Sequence, residues 1–312
     1  MKTRPFQQVD VFTATPYLGN PLAVVLDGDG LSSQEMQQFA HWTHLSETAF
    51  LLPPSLAGAA AGADYRVRIF TPGAELPFAG HPTLGSCHAW LEAGGVPRHS
   101  DCIVQECGVG LVRVRRQGTQ LAFAAPALAR SEPEAELLEQ VRAALGLEKH
   151  QIRAAQLLDN GPVWLALLLD SRSTVLALNP DHLTLKHLGQ KVGVVAMEEA
   201  ECGPMLIARS NREARAFSTR AGQSASADGA APEAEVRAFA APVGIDEDPV
   251  TGSLNASLAQ WLITEGLAPT SYTAAQGSCL GRAGRVHIEQ DASAQVWVGG
   301  DVASCIEGKV RL

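Results

Sequence analysis

The 312-residue chain has no basic excess: 24 Lys and Arg stand against 33 Asp and Glu, a formal charge of -9. Binding through nucleic-acid phosphates or an anionic membrane surface needs basic patches, so neither partner is expected. The one dense basic run, Arg113-Val114-Arg115-Arg116, alternates like the solvent face of a strand. No run of about twenty apolar residues occurs, which excludes a transmembrane helix. The start, Met1-Lys2-Thr3-Arg4-Pro5-Phe6, lacks the apolar core of a signal peptide and moves straight into a strand pattern. Cytoplasmic residence is the expectation.

Cofactor motifs are missing too. The 6 cysteines (Cys87, Cys102, Cys107, Cys202, Cys279, Cys305) form no Cys-x-x-Cys pair and none lies in metal-ligand spacing with a His. Free thiols are expected, and no metal. His41 and His44 stand three apart with no third ligand in register. Gly108-Val109-Gly110-Leu111 lacks the third glycine of a dinucleotide fingerprint and runs into a β pattern. Neither a Gly-x-Ser-x-Gly elbow nor a P-loop is present. No cofactor is expected.

What the chain does contain is a pair of related stretches. The first is Val67-Arg68-Ile69-Phe70-Thr71-Pro72, then Glu75-Leu76-Pro77-Phe78-Ala79-Gly80-His81-Pro82-Thr83-Leu84-Gly85. The second is Val236-Arg237-Ala238-Phe239, then Gly244-Ile245-Asp246-Glu247-Asp248-Pro249-Val250-Thr251-Gly252-Ser253. Each reads as a strand, an acidic Pro/Gly-bearing loop and the start of an apolar helix, 82–92 in one and 253–264 in the other. A helix start leaves N–H groups unpaired and carries partial positive charge, so it attracts anions. Two such starts facing each other would grip one small carboxylate.

The length suits two domains of roughly 150 residues. Strands are expected at 8–12, 22–26, 49–52, 65–70, 102–106, 109–115 and 119–124, with a helix from Ser32 or Ser33 to Thr43 and a loop at 55–63. Residues 126–133 read as a crossover between halves. Further strands are expected at 163–169, 192–197, 204–208, 284–289, 294–298, 303–307 and 309–312. Helices are expected at 137–145 and 181–189, and a small-residue hairpin tip at 222–232. Helices apolar on nearly all sides must be wrapped by sheet. The fold class is therefore α+β: two similar domains, each a curved, mostly antiparallel sheet rolled around a central helix. The boundaries are 1–125 with the C-terminal strand 300–312, and 126–299.

The candidate chemistry lies on the loops. Glu47 precedes the apolar Thr48-Ala49-Phe50-Leu51-Leu52. It is either a strand-end carboxylate in water or an inward one, whose desolvation would raise its pKa and suit it to general acid/base work. His81, before Pro82, sits near a helix start on an exposed loop tip, as a structural cap or as a site residue. Asp248 ends the trio Asp246-Glu247-Asp248, a solvated complement to the helix start or a proton-transfer group. Gly80, Gly252 and Ser253 are ordinary turn residues or anion-holding backbone. Together, a carboxylate, a His, an Asp and two Gly-bearing helix starts make a better proton-transfer site than chance supplies.

These residues resemble the PhzF-like (phenazine biosynthesis-like) family over nearly the whole chain. The match runs through Val9-Asp10-Val11-Phe12, Gly19-Asn20-Pro21-Leu22-Ala23-Val24-Val25, Leu45-Ser46-Glu47-Thr48 and the two duplicated stretches. It continues at Gln276-Gly277 and Gly281-Arg282-Ala283-Gly284. The resemblance implies a diaminopimelate epimerase-like fold with a cleft between the domains, and a homodimer. It implies that Glu47 is the catalytic acid/base, that His81, Asp248 and Ser253 belong to the substrate site, and that Gly80 and Gly252 offer backbone N–H groups. It also implies cofactor-free isomerisation of a small carboxylated substrate, of the trans-2,3-dihydro-3-hydroxyanthranilate type. An epimerase or lyase on another small amino or hydroxy acid, or a binding protein that kept the fold, are the alternatives. The two thiols of the epimerase relatives have no counterpart at the helix starts; Cys107 and Cys202 introduce no apolar helix. His44, Ala241, Leu254 and Asn255 depart from the family pattern, and a changed pocket is expected from His44, Leu254 and Asn255.

Overall fold

The computed structural model describes residues 1–198 and 231–312. The strand expected at 204–208, Cys202 and all but the last two positions of the tip at 222–232 fall outside the described residues.

The two halves repeat one circuit of strands. In the first, Thr3–Val11 pairs antiparallel with Asn20–Val25, which runs parallel to Thr48–Leu52. Thr48–Leu52 pairs antiparallel with Tyr65–Phe70, which runs parallel to Cys102–Cys107. Gly110–Gln117 and Gln120–Ala124 follow, both antiparallel. In the second half, Ile152–Asp159 pairs antiparallel with Val163–Leu169, which runs parallel to Lys191–Met197. Lys191–Met197 pairs antiparallel with Ala234–Ala240, which runs parallel to Ser271–Gln276. Gly284–Gln290 and Val296–Gly300 complete it, both antiparallel. The sequence of parallel and antiparallel steps is identical in the two halves.

Side chains repeat as well. Arg68 makes a two-pronged ion pair with Glu75 at 2.6 and 2.7 Å and lies 5.1 Å from the Phe70 ring centroid. Arg237 does the same with Glu247 at 2.8 and 2.9 Å, and lies 5.0 Å from the Phe239 ring. The repeated Val-Arg-x-Phe of the sequence is thus a repeated brace between strand and loop. Because Arg and carboxylate present matching forks, the loop approach angle is fixed in both halves.

Each circuit curls around one apolar helix, Gly80–Glu92 in the first half and Gly252–Thr264 in the second. Leu84, Cys87 and Ala89 from one helix, and Leu254, Leu258, Trp261 and Leu262 from the other, are buried in one continuous core. Other helices cover the outside: Ser33–Thr43 packs over Phe50 and Phe70, while Ala135–Ala144 and His182–Leu188 pack over Leu165, Val194 and Phe239. Strands sandwiched between inner and outer helices are buried on both faces, which explains continuous apolar runs such as Val163–Leu169. Pairing of Gln120–Ala124 with Val296–Gly300 joins the halves, and Val302–Arg311 returns to pair with Thr3–Val11.

Several boundaries differ from the sequence expectations. The 55–63 loop holds a short helix, Leu56–Ala60, because Ser55 caps it by accepting from the Gly58 N–H, and alanines favour the turn. The two strands expected at the C-terminus are one, Val302–Arg311, since Gly308 stays paired opposite Phe6. Strands Ile152–Asp159 and Ser271–Gln276 show no clear alternation in sequence and form because paired neighbours flank them on both sides. Ser32 caps the helix Ser33–Thr43 in a reciprocal box with Glu35, as its spacing predicts.

Candidate active site

Neither central helix is capped by a side chain at its start. The N-cap residues are Ala79 (φ -152) and Thr251 (φ -113), both extended and without a capping side-chain hydrogen bond. The first-turn N–H groups of both helices therefore stay available to an anion. The helices begin two residues and one residue earlier than the sequence expectation, at Gly80 and Gly252.

These two glycines touch. A Cβ on Gly252 would lie 3.1 Å from the Gly80 Cα and 3.2 Å from the His81 nitrogen. A Cβ on Gly80 would lie 3.1 Å from the Gly252 Cα and 2.6 Å from Cζ of Phe123. Lack of a side chain, and not an unusual backbone angle, is what the sequence supplies here. The positive ends of two helices are thereby held against each other.

Buried glutamines pin both starts. Gln105 donates to the Thr83 hydroxyl at 3.0 Å and accepts from Tyr65, while Thr83 donates to the Ala79 carbonyl at 2.9 Å. On the other side the Thr251 N–H and the Asn255 amide both donate to Oε1 of Gln276, at 3.0 and 2.8 Å. The Gln276 amide donates to the Thr251 hydroxyl at 3.0 Å and to the Asp248 carbonyl at 3.1 Å. Both glutamines are fully buried, so each bond is made in a medium where an unpaired amide would cost about 1–3 kcal/mol.

The titratable groups gather at this junction. Glu47 lies in the segment before Thr48–Leu52, mostly buried, with Oε2 3.5 Å from Nδ1 of His81. That resolves the two readings of Glu47 in favour of the inward one. His81 is 4% exposed, inside the first helical turn and not on an exposed tip as expected, because the helix starts at Gly80. Asp248 accepts from Asn20 at 3.0 Å and from the Thr251 hydroxyl at 2.5 Å, so Asn20 of the first half is bonded to the second-half loop. Asn20 also donates to the Val250 carbonyl at 2.9 Å. Ser253 sits in the first turn of its helix, half-buried, and its carbonyl accepts from Asn160 at 2.9 Å. Glu47, His81 and Asp248 are brought together, with Gly80, Gly252 and Ser253 at the adjoining helix starts.

Burial sets the protonation of the group. It raises the Glu47 carboxyl above its ordinary value, against the pull of the Lys191 charge. Asp248 is pushed up to about 6, first by burial and then by the Glu47 charge, with His81, Thr251 and Asn20 opposing. His81 is driven down to about 4 by burial, with the Asp248 charge opposing. Near neutrality the imidazole is therefore neutral and the two carboxylates lie closer than usual to protonation. Oε2 of Glu47 and Nε2 of His81 are buried without a hydrogen-bond partner among the described residues. Both atoms are free to bond a water or a ligand.

Thiols are absent from the helix starts. Cys87 is buried inside the first central helix, where desolvation pushes its thiol up to about 12. Cys107 ends a strand opposite Gly110, and burial raises it too. Among the described residues no cluster of His, Cys, Asp and Glu is arranged to hold a metal ion. A surface hollow of about 360 Å³ is lined by Arg113, Arg115 and Trp297, sharing no residue with the Glu47 group. Arg115 is tied there to Asp291 at 2.8 Å, and Arg113 is exposed, in keeping with a solvated strand face.

Three departures from the family pattern are one exposed residue, His44, and two buried ones just behind the second helix start, Leu254 and Asn255. His44 is the exposed C-cap of its helix, in the left-handed region at φ 56, where Asn or Gly is favoured. Leu254 packs on Gly193 in the core, and Asn255 braces Gln276. Lys191 and Asn160 were not visible as site residues in the sequence; one opens a strand, the other sits in a hairpin turn, and neither belongs to a motif.

A sequence profile described as "Phenazine biosynthesis-like protein" matches residues 9–308. The chain belongs to this phenazine biosynthesis-like family. Antisense-enhancing sequence 1 of Schizosaccharomyces pombe is 33% identical over 99% of both chains. A trans-2,3-dihydro-3-hydroxyanthranilate isomerase of Pseudomonas aeruginosa is 49% identical, over 26% of this chain and 27% of its own length. A Bacillus anthracis phenazine biosynthesis protein of the PhzF family superposes with a TM-score of 0.78 at 21% identity, covering 100% of both chains. The fold is diaminopimelate epimerase-like, as the duplicated circuits indicate. Members of the family carry isomerase or epimerase names. No helix among the described residues is long and apolar enough to cross a membrane.

Proposed function

We propose that the chain is a cofactor-independent isomerase that moves a proton within a small carboxylated substrate. The observation that supports this most is the buried Glu47 carboxylate, its Oε2 unpartnered and 3.5 Å from His81, beside two touching helix starts. Glu47 takes a proton from an activated carbon and returns it to another carbon of the same molecule, so no proton is lost overall. The N–H groups near Gly80 and Gly252, with the Ser253 hydroxyl, hold the substrate carboxylate. They also stabilise negative charge that spreads into it as the C–H bond breaks. Neutral His81 and Asp248 bind an amino or hydroxyl substituent. Positioned acid/base catalysis contributes about 10²- to 10⁴-fold, so orientation at the junction must supply much of the rest.

The chemistry is of the kind named in the trans-2,3-dihydro-3-hydroxyanthranilate isomerase relative, whose similarity covers about a quarter of the chain. Incubation of the protein with that compound and with other small unsaturated amino and hydroxy acids in deuterated buffer tests the reading by mass spectrometry. Isomerisation is expected to give a product of unchanged composition that exchanges deuterium at carbon. Loss of water or ammonia from the substrate would mean a lyase instead. A homodimer in the cytoplasm is part of the same proposal, and sedimentation addresses the dimer.

A further inference from the structure

The second half contributes a wall that the Glu47 group does not account for. Asn160 sits in the turn between Ile152–Asp159 and Val163–Leu169 and is bonded through its amide to the Ser253 carbonyl. Its Oδ1 is buried without a hydrogen-bond partner among the described residues. Trp164, at the start of the next strand, pairs in register with Lys191, which opens the strand after it. Turn, tryptophan and lysine thus lie at the end of the sheet where the second central helix begins. Nζ of Lys191 stands 5.5 Å from the Trp164 ring centroid. No carboxylate of the described residues lies within ion-pair distance of it.

Lys191 also acts across the junction. Burial raises the Glu47 carboxyl and lowers the Lys191 ammonium from their ordinary values, and the charge of each opposes the shift of the other. The half-buried ammonium makes no ion pair with any described residue, and the more distant Glu47 charge offsets its burial only in part, a cost that a bound anion relieves. The helix starts already take one carboxylate under the proposed function. Resting on that reading, we propose that Lys191 binds a second anionic group, so that the substrate is a small diacid. Lys191 is then the residue that separates diacids from monoacids at this junction. Trp164 limits where its ammonium can go, and the bond from Asn160 to Ser253 fixes that wall relative to the helix start.

The test uses the full chain and calorimetric titration with straight-chain diacids of four to seven carbons, each beside its own monoamide. The monoamide keeps size and shape and removes one charge. At least one diacid is expected to bind about 10-fold or more tightly than its monoamide, the scale of a charge-assisted contact. Lys191→Met should reduce that ratio to about 1, and Lys191→Arg should restore it. A wild-type protein that binds every diacid no better than its monoamide overturns the proposal. So does a ratio that survives Lys191→Met, even where the acid limb of a pH profile moves, because Lys191 would then act only through Glu47. The proposed function fails separately: Glu47→Gln leaves diacid preference in place, whatever it does to turnover.

Discussion

Gly80 and Gly252 are 172 positions apart in the chain, yet a methyl on either would come within 3.1 Å of the other's Cα. The contact joins two copies of one loop–helix unit at the ends where both helix dipoles are positive. It explains why small residues stand at both positions without any need for a left-handed backbone. His81, the residue after Gly80, lies 3.5 Å from Glu47, and Asp248 is bonded to Thr251, the residue before Gly252.

Gly252→Ala should therefore drive the helix starts apart. The added carbon meets backbone atoms at 3.1 and 3.2 Å, which cannot rotate away. Urea unfolding is expected to show a loss of about 1–3 kcal/mol, as for other overpacked sites. An unchanged midpoint would mean that the starts separate freely.

His44→Gly should act in the opposite direction. The left-handed backbone of an exposed cap costs a side chain roughly 1 kcal/mol, part of which glycine's greater unfolded freedom offsets. A net gain of about 0.5 kcal/mol is expected in the same unfolding experiment. Turnover should not change, because His44 lies outside the junction.

The pH dependence of stability separates Asp248 from His81. Asp248 rises from 3.8 to about 6 on folding, so its contribution is complete below about 3.8 and is lost as pH climbs through 6. His81 falls from 6.5 to about 4, so its contribution is complete above 6.5 and is lost as pH drops through 4. Between 4 and 6 the two oppose each other. Asp248→Asn removes the first, and with it the charge that opposes the fall at His81, which moves the difference in the same direction. The wild type should lose stability relative to this variant from pH 4 to pH 7, by on the order of 1–3 kcal/mol. A difference independent of pH would contradict the buried placement of Asp248.

Replacement of the cysteines one at a time by alanine should change turnover only through stability. Cys87→Ala should be the most destabilising of the described thiols, because it empties part of a fully buried helix face. A folded single variant without turnover would restore two-thiol chemistry.

Much of this arrangement was legible in the chain. The repeated Val-Arg-x-Phe and the two acidic loops announced the duplication, and the structure extends it to matching ion pairs at Glu75 and Glu247. His81 and Asp248 stood out because each precedes a proline near a helix start. The burial of His81 did not, since it depends on Gly252 arriving from the other half. Lys191 and Asn160 were invisible for a related reason: they meet the junction only through strand register and one side-chain bond to Ser253. Strands such as Ile152–Asp159 take their character from neighbours and not from their own alternation.

The most direct test of the account is deuterium uptake from solvent into substrate by Glu47→Gln. Glutamine keeps the size of the side chain and cannot cycle a proton, and it removes a carboxylate whose burial is unfavourable. The variant should fold normally, melt at or slightly above the wild-type temperature and still bind carboxylated ligands at the untouched helix starts. Exchange and turnover should fall by at least about 10²-fold. Wild-type exchange in the folded variant would contradict the central claim and move the acid/base role to His81 or Asp248.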